Sequence, residues 1–326
     1  MVIGMTVTAG KIDRGISIFT LENDFHAYVI RHCLHSRGIH CSIIETNGLS
    51  VKGGMSWSCT SEVANASIND VEGNQVILAD LGLVWWRRFN GKPQFPEMLT
   101  DKVARDLVVN ECRATVLGIA VTEFQGIWVN PPEANRIAEN KLIQLKAAQQ
   151  ADLRLPKTLI SQDPNLVKKF CADLNYRVVV KTVAGTHDAG VLVGRVTPEI
   201  LTEEAISICP AIYQEFIPGK NHLRICCFGN QIHTVLLKSE RLDWRYPLDV
   251  IAEPFKLDQL TELQIFKVLS SLNLPMGIID MKLSPEGEPI WFEVNPQGQF
   301  LFLEGLCGIP LAEFFTDFLI SEINSL

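Results

Sequence analysis

The chain has 326 residues, 47% of them hydrophobic and 20% charged, with a formal net charge of −8. That balance excludes a disordered chain, and an acidic sequence without a basic block argues against a nucleic-acid surface. No apolar run approaches the ~20 residues that span a bilayer, and the start lacks a signal-peptide layout, so the expected location is the cytoplasm.

The first 15 residues hold a short apolar start and a Gly/Lys/Asp break. Ile16–Thr20 then reads as a strand, Phe25–Arg37 as an amphipathic helix closed by Gly38, and Cys41–Glu45 as the next strand. This βαβ unit predicts an opening α/β layer, with no Gly-rich fingerprint for a dinucleotide. Residues 48–75 are rich in Ser, Asn and Gly, with weak strand signals at Met55–Cys59 and Val76–Leu78. Leu83–Trp86 is a strand ending in Arg87 and Arg88; adjacent residues face opposite ways, so at most one of the two enters a given site. The other reading is that they cap the strand and pair with acids. A helix is expected over Met98–Gly118, with Val103, Leu107, Val108 and Val116 apolar, and a strand over Val121–Val129 before the Asn130-Pro131-Pro132 boundary.

Beyond that boundary a helix is expected from Glu133 to Ala151, a strand from Leu155 to Ile160, and a helix opening at Asp163-Pro164. Arg177–Lys181 is a strand that ends in lysine and leads into a loop with Gly185, His187 and Gly190. Main-chain N–H groups of such a loop can turn toward an anion, although a glycine hairpin beside a snorkelling lysine explains the pattern as well. The strand Ala211–Glu215 ends in Phe216-Ile217-Pro218-Gly219; the main chain of Gln214–Ile217 is a candidate edge for a purine, with apolar walls. Leu223–Phe228 and Gln231–Leu236 form a hairpin across Gly229-Asn230, with Arg224 alternating inward and requiring an anionic partner. Residues 238–247 are a polar loop carrying Arg245. A helix over Leu257–Leu272 is expected to bury Leu260, Leu263, Phe266 and Leu269, and Leu311–Ile323 is the last helix. Nine scattered cysteines without a C-x-x-C pair read as buried thiols in a reducing compartment.

The most informative stretch is Met276–Leu283, a Pro/Gly turn, and Ile290–Gly298. Glu293 and Asn295 are two apart on one strand and Asp280 lies on its partner. Two buried carboxylates need a cation, and three oxygen donors without Cys or His suit Mg²⁺, which shares its remaining positions with water and phosphate. The competing reading is an exposed hairpin with both acids facing solvent.

The ordered set Asn140-Lys141, Leu155–Thr158, Val-Val-Lys181, Gln-Glu215-Phe-Ile, Leu-Arg224-Ile, Ile-Asp280 and Phe-Glu293-Val-Asn295-Pro resembles the ATP-grasp superfamily over roughly residues 130–326. Val-Trp-Trp-Arg87-Arg88, Asn140-Lys141-x-x-Gln144-Leu, Asp243-Trp-Arg245 and Asn295-Pro-Gln-Gly-Gln-Phe resemble the microviridin-type graspetide synthetases in particular. The resemblance implies a mixed α/β and α+β ATP-grasp fold, with an N-terminal open α/β domain over 1–129, a central lid-like α+β lobe over 130–217 and a C-terminal antiparallel-sheet lobe over 218–326. It implies ATP and Mg²⁺ as cofactors, a ribosomal precursor peptide with leader and core as the partner, and a homodimer. Lys141, Lys181, Gly185 and Gly190 would then contact phosphates, Gln214, Glu215, Phe216 and Ile217 the nucleoside, and Asp280, Glu293 and Asn295 the metal. Arg224, Arg245 and Lys181 would serve the chemistry, in which a Glu or Asp carboxylate becomes an acyl phosphate and joins a Thr/Ser hydroxyl or a Lys amine. The glycine content of 185–190 keeps a second enzyme open, a ligase joining an amino acid to a small acid or a protein tail. A nucleotide-binding regulator without chemistry is the reading from another class.

Overall fold

The computed structural model describes residues 15–325 apart from Gly53, Asn90, residues 185–192, Tyr246 and Pro247. The opening segment 1–14 and the loop with Gly185, His187 and Gly190 therefore lie outside the described residues. The chain divides into two compact units, one taking in the residues up to Trp85, Pro93–Ile127 and Leu319 onward, the other Trp86–Lys92 and Trp128–Phe318.

The first unit opens with β1 (Ile16–Thr20), α1 (Phe25–Ser36) and β2 (Cys41–Glu45), and β1 and β2 pair in parallel as a βαβ connection requires. Asp24 caps α1, its carboxylate accepting from the His26 N–H. After α2 (Leu49–Lys52), strands β3 (Met55–Cys59), β4 (Ala64–Asn69) and β5 (Gln75–Val76) make a small antiparallel sheet. The polar β4 has no apolar signal of its own and exists because β3 pairs with it. β6 (Leu83–Trp86) and β7 (Ile127–Val129) complete the sheet β2-β1-β6-β7. Between them α3 runs from Lys102 to Glu123, capped by Asp101. The strand expected from Val121 is thus helix to Glu123 and begins only at Ile127. Gly118 costs the helix about 1 kcal/mol but does not end it, because Val116, Ile119 and Ala120 are packed on either side.

The helix expected over 133–151 is broken into α4 (Pro132–Ala138) and α5 (Lys141–Gln150), since Asn140 turns its side chain back to accept from the Leu142 N–H at 3.0 Å. β8 (Thr158–Ser161) starts later than its apolar pattern, after Pro156, which has no N–H to give a ladder. With α6 (Pro164–Asp173), β9 (Val178–Lys181), β10 (Gly194–Arg195), α7 (Glu203–Ile208) and β11 (Ala211–Glu215) it forms the antiparallel sheet β10-β9-β11-β8 over its own cluster of Val167, Cys171, Ile206 and Tyr213.

The last sheet, β14-β13-β12-β15-β16, is antiparallel throughout. It comprises β12 (Asn221–Phe228), β13 (Gln231–Lys238), β14 (Ile251–Phe255), β15 (Met276–Leu283) and β16 (Pro289–Asn295). β14, with Pro254 inside it, gave no strand signal; as an edge strand it can spare the N–H. One sheet face, with Ile225, Ile279, Met281 and Trp291, packs on Ala147 and Ala148 of α5 and on α8 (Gln259–Ser271). α8 buries Thr261, Ile265, Val268 and Leu269, whereas Leu260 and Leu263 are 66% and 53% exposed. Leu269 is buried as expected, but the first turns are rotated from the expected phase, because the Asp258 cap fixes the first turn with Thr261 inward. The other sheet face is apolar only at one end, where Phe228 meets Phe300, just ahead of α9 (Leu301–Cys307), and Phe315 of α10 (Leu311–Ile323). All nine cysteines are free, and among the described residues no helix is long and apolar enough to cross a membrane.

Candidate active site

At its other end that face carries charge. Arg224 and Asp280 are register partners on β12 and β15, and His222 and Lys282 are the next pair along the same face. Arg224 Nη1 donates to both Asp280 oxygens at 2.9 and 2.8 Å, and Nη2 donates to the Gln299 carbonyl at 2.9 Å. Its Nε is buried without a partner among the described residues. Asp280 faces Glu293 across β15 and β16, where a register shift leaves Phe292 as the extra residue. Burial raises the Asp280 carboxyl above its ordinary range; Arg224 opposes the rise and the nearby Glu293 charge adds to it. Burial acts the same way on Glu293, but Lys141, Lys181 and Arg245 outweigh it and hold that carboxyl below its usual range.

The turn after β16 completes the floor. A Cβ on Gly298 would lie 2.5 Å from Ile278 Cβ, so only glycine lets the turn lie against β15 and present the Gln299 carbonyl to Arg224. Asn130 ties the same turn down, donating to the carbonyls of Pro296 at 3.1 Å and Met276 at 3.0 Å.

Lys141 stands at the first position of α5 with Nζ 3.2 Å from Glu293 Oε2. Its aim is set one turn later. Buried Gln144 accepts from the Val294 N–H at 3.0 Å and donates to the Val294 carbonyl at 2.9 Å, locking α5 to the strand beside Glu293. Lys181, at the end of β9, lines the same cleft from the other sheet. Burial lowers its ammonium from the usual 10.5 to about 8, with Glu293 opposing and Lys141 and Arg245 adding to the fall. It has no ion pair among the described residues. A desolvated lysine facing a cleft of mixed charge calls for an anion.

Gln214, Glu215, Phe216 and Ile217 line the cleft where β11 leads into β12. Much of their polar capacity is spent: Gln214 donates to Thr158 Oγ1, the Glu215 carboxylate accepts from the Lys157 N–H, and the Phe216 N–H donates to the Arg177 carbonyl. The Phe216 ring has the Arg195 guanidinium 4.1 Å from its centroid and Lys282 Nζ at 5.7 Å. Arg245 also lines the cleft and forks onto Asp243 at 2.8 and 2.6 Å.

His222 and Lys282 line the cleft too and were not singled out from the sequence, and Trp244 of the Asp243-Trp-Arg245 motif joins them. The period of two was the available signal for the first two, since they flank Arg224 and Asp280 on one face. Burial and the neighbouring Lys282 push the His222 imidazole down to about 4, so it is neutral near pH 7. Asn295 keeps its two-residue spacing from Glu293 but is exposed, does not line the cleft, and accepts from the Gln297 N–H at 2.9 Å. Arg87 is fully buried and Arg88 half-buried, and neither lines this cleft.

Two lysines from different elements converge with two carboxylates in one cleft lined by the two antiparallel sheets of the second unit. The family described as the RimK-like ATP-grasp domain matches residues 138–319, more than half of the sequence. The chain belongs to that family. No curated protein sequence matches this ATP-grasp protein. Among solved structures it is similar to the macrocyclase MdnC of Microcystis aeruginosa MRC bound with precursor peptide MdnA, at 26% identity over 94% of this chain and 99% of that one, with a TM-score of 0.83. It shares its fold with a RiPP-associated ATP-grasp ligase of Chryseobacterium gregarium in complex with ADP and a leader and core peptide (23% identity, 94% and 97% covered, TM-score 0.84). The same holds for the ATP-grasp ligase PsnB complexed with a precursor variant, Mg and ADP (19% identity, 95% and 98% covered, TM-score 0.76).

The donor set fits a magnesium nucleotide. Asp280 and Glu293 lie opposite one another with Asp280 raised by burial and further by its neighbour's charge, a conflict that a divalent cation between them relieves. Lys181 supplies buried positive charge in want of a phosphate. No cluster of three His, Cys, Asp or Glu occurs among the described residues, and a pair of carboxylates that shares the ion with phosphate and water does not require one.

Proposed function

We propose that this ATP-grasp protein is an ATP-dependent ligase acting on a ribosomal precursor peptide. It would convert a Glu or Asp side-chain carboxylate to an acyl phosphate and join it to a Thr/Ser hydroxyl or a Lys amine. The observation that carries the reading is the cleft in which Lys141, Lys181 and Arg245 line the walls with Asp280 and Glu293, Arg224 being paired to Asp280. The full-length similarity to MdnC supports the peptide as substrate.

In this reading Lys141 and Lys181 hold the phosphates, and the 214–217 segment flanks the nucleoside. Mg²⁺ held by Asp280 and Glu293 would neutralise the transferring phosphoryl, and Asn295, outside the cleft and accepting from the Gln297 N–H, would have to turn its amide inward to join them. With much of the segment's polar capacity already committed, the apolar Ile217 and the Phe216 ring carry most of the base contact. Arg224 fixes Asp280 and offers Nε, while Arg245 supplies charge for the substrate carboxylate. Attack by the hydroxyl or amine on the acyl phosphate expels phosphate, so ATP ends as ADP and phosphate and the peptide loses the elements of water. The lobes 130–217 and 218–326 would enclose the reactants and contribute by holding them in reach.

Mass spectrometry of a Thr- and Glu/Asp-rich precursor peptide incubated with the protein, ATP and Mg²⁺ tests the reading. Loss of one water per bond is expected. An unmodified peptide beside a modified free amino acid would instead identify the amino-acid ligase.

Lys181→Met separates phosphate binding from stability. In the ligand-free protein the buried ammonium is a cost, so the variant should melt a few degrees higher while its KM for ATP rises about tenfold or more. The sign follows from the lowered pKa. Between about 8 and 10.5 the unfolded chain holds a proton that the folded one has released, so wild-type stability rises with pH through that window. The variant should lose this slope, and an unchanged ATP requirement would remove the phosphate role.

A further inference from the structure

Between β13 and β14 the chain leaves the sheet. Lys238 and Ile251 are register partners, so residues 239–250 form an excursion whose middle reaches the cleft, with Leu242, Asp243, Trp244 and Arg245 on its wall. Much of it is charged, with Glu240, Arg241, Asp243, Arg245 and Asp249. Among its described residues Trp244 alone is buried, 8% exposed. Its ring centroid lies 6.0 Å from that of Phe302 on α9, with the planes tilted by 30°, and Arg224 Cζ is 5.9 Å from the indole centroid. Both separations are within reach of ring–ring and cation–ring attraction, and the guanidinium is itself buried, so little water competes for it.

The ring carries a fork with it. Asp243 Oδ1 accepts from the Arg245 backbone N–H at 3.1 Å and from Arg245 Nε at 2.8 Å, and Oδ2 accepts from Nη2 at 2.6 Å. Trp244 stands between the two residues, so these bonds close Asp243-Trp244-Arg245 into one unit that moves with the indole. The fork does not place itself. The Arg245 side chain is 48% exposed, and an ion pair half in water is too weak to hold a loop against a sheet, whereas a buried indole is among the largest single anchors a chain has. Arg245 is also among the charges acting on Glu293, Asp280 and Lys181, so its place enters the electrostatics of the whole site.

We propose that Trp244 is a positioning residue for the reaction, an indole seated between Phe302 and the Arg224 guanidinium that aims Arg245 at the substrate carboxylate. What Arg245 meets rests on the ligase reading above; the seat itself needs no substrate. An indole that served only as an anchor would affect stability alone. A positioning indole also sets the rate, because about 1 Å of displacement of a group that must meet the reacting atoms costs up to ~10²-fold.

Trp244→Ala, Trp244→Phe and Phe302→Leu in the full chain test this. Without ligand, hydrogen exchange over residues 240–245 should speed about tenfold or more in Trp244→Ala, with β12 and β15 unchanged, and stay within about threefold of wild type in Trp244→Phe. With precursor peptide, ATP and Mg²⁺, at a temperature where every variant is folded, kcat for peptide dehydration should fall about thirtyfold in Trp244→Ala while the KM for ATP stays within about threefold. Trp244→Phe should return kcat to within about fivefold of wild type. Phe302 is half-buried and outside the cleft, and Phe302→Leu should lower kcat about fivefold by loosening the seat from its other side. Added to Arg245→Ala, Trp244→Ala should change kcat by less than about threefold, since a fork already removed has no aim to lose. Unchanged exchange in Trp244→Ala, a wild-type kcat in that variant, or losses that multiply in the double variant would each overturn the inference. If the wild-type protein leaves the peptide unmodified, the ligase reading falls, and the exchange of Trp244→Ala against Trp244→Phe still upholds or overturns the seat.

Discussion

Glu293→Gln should lower ATP turnover with substrate by about 10²–10³-fold while leaving the fold intact. The substitution keeps the size of the side chain and removes its charge at the centre of the site. Glu293 opposes Asp280 across the strands, receives Lys141 at 3.2 Å, and is the carboxylate that the surrounding cations keep ionised. Losing that charge weakens the proposed grip on Mg²⁺ and leaves Lys141 and Lys181 facing one another with less between them. An ATPase assay over a Mg²⁺ titration distinguishes the causes. A lower plateau with a rightward shift in Mg²⁺ indicates a lost metal ligand, and a wild-type rate at all concentrations would show that the ion is held elsewhere.

Arg224→Ala is expected to cost about 3–5 kcal/mol of stability as well as activity. Both Asp280 oxygens and the Gln299 carbonyl depend on this guanidinium, and no other cation is within ion-pairing distance of Asp280 among the described residues. The damage should depend on pH. Burial already raises the Asp280 carboxyl, so between the ordinary value near 3.8 and its raised value the folded protein holds the extra proton and loses stability as pH rises. Without Arg224 that window extends upward, and the variant should fall further behind wild type at pH 8 than at pH 5. Thermal melts at the two pH values check this; equal deficits at both would mean that Asp280 is stabilised by something other than Arg224.

The sequence determined more of the site than of the fold's edges. Glu293, Asp280 and Arg224 were legible because a strand repeats every two residues, so one apolar hairpin with acids at alternate positions fixes which side chains share a face. Asp163 likewise marked its helix start through local chemistry that needs no distant partner, and Asp24, Asp101 and Asp258 cap their helices in the same way. What local patterns do not carry is the choice among partners. β4 and β14 exist only because a neighbouring strand pairs with them, and the phase of α8 follows from its cap and the sheet beneath it.

The same holds inside the cleft. Lys141 and Glu293 are far apart along the chain, and only Gln144 clamped on Val294 brings them together. His222 and Lys282 became cleft residues because α9 and α10 cover just one end of their sheet face. Val103, Leu107 and Val116 were legible as apolar residues of one helix, but that Val116 meets core and the other two solvent is set by what packs against the helix. Periodicity and capping are written in neighbouring residues, so the sequence alone settles them; burial, charge pairing and pKa depend on residues the chain brings back from a hundred positions away, and these the tertiary structure decided.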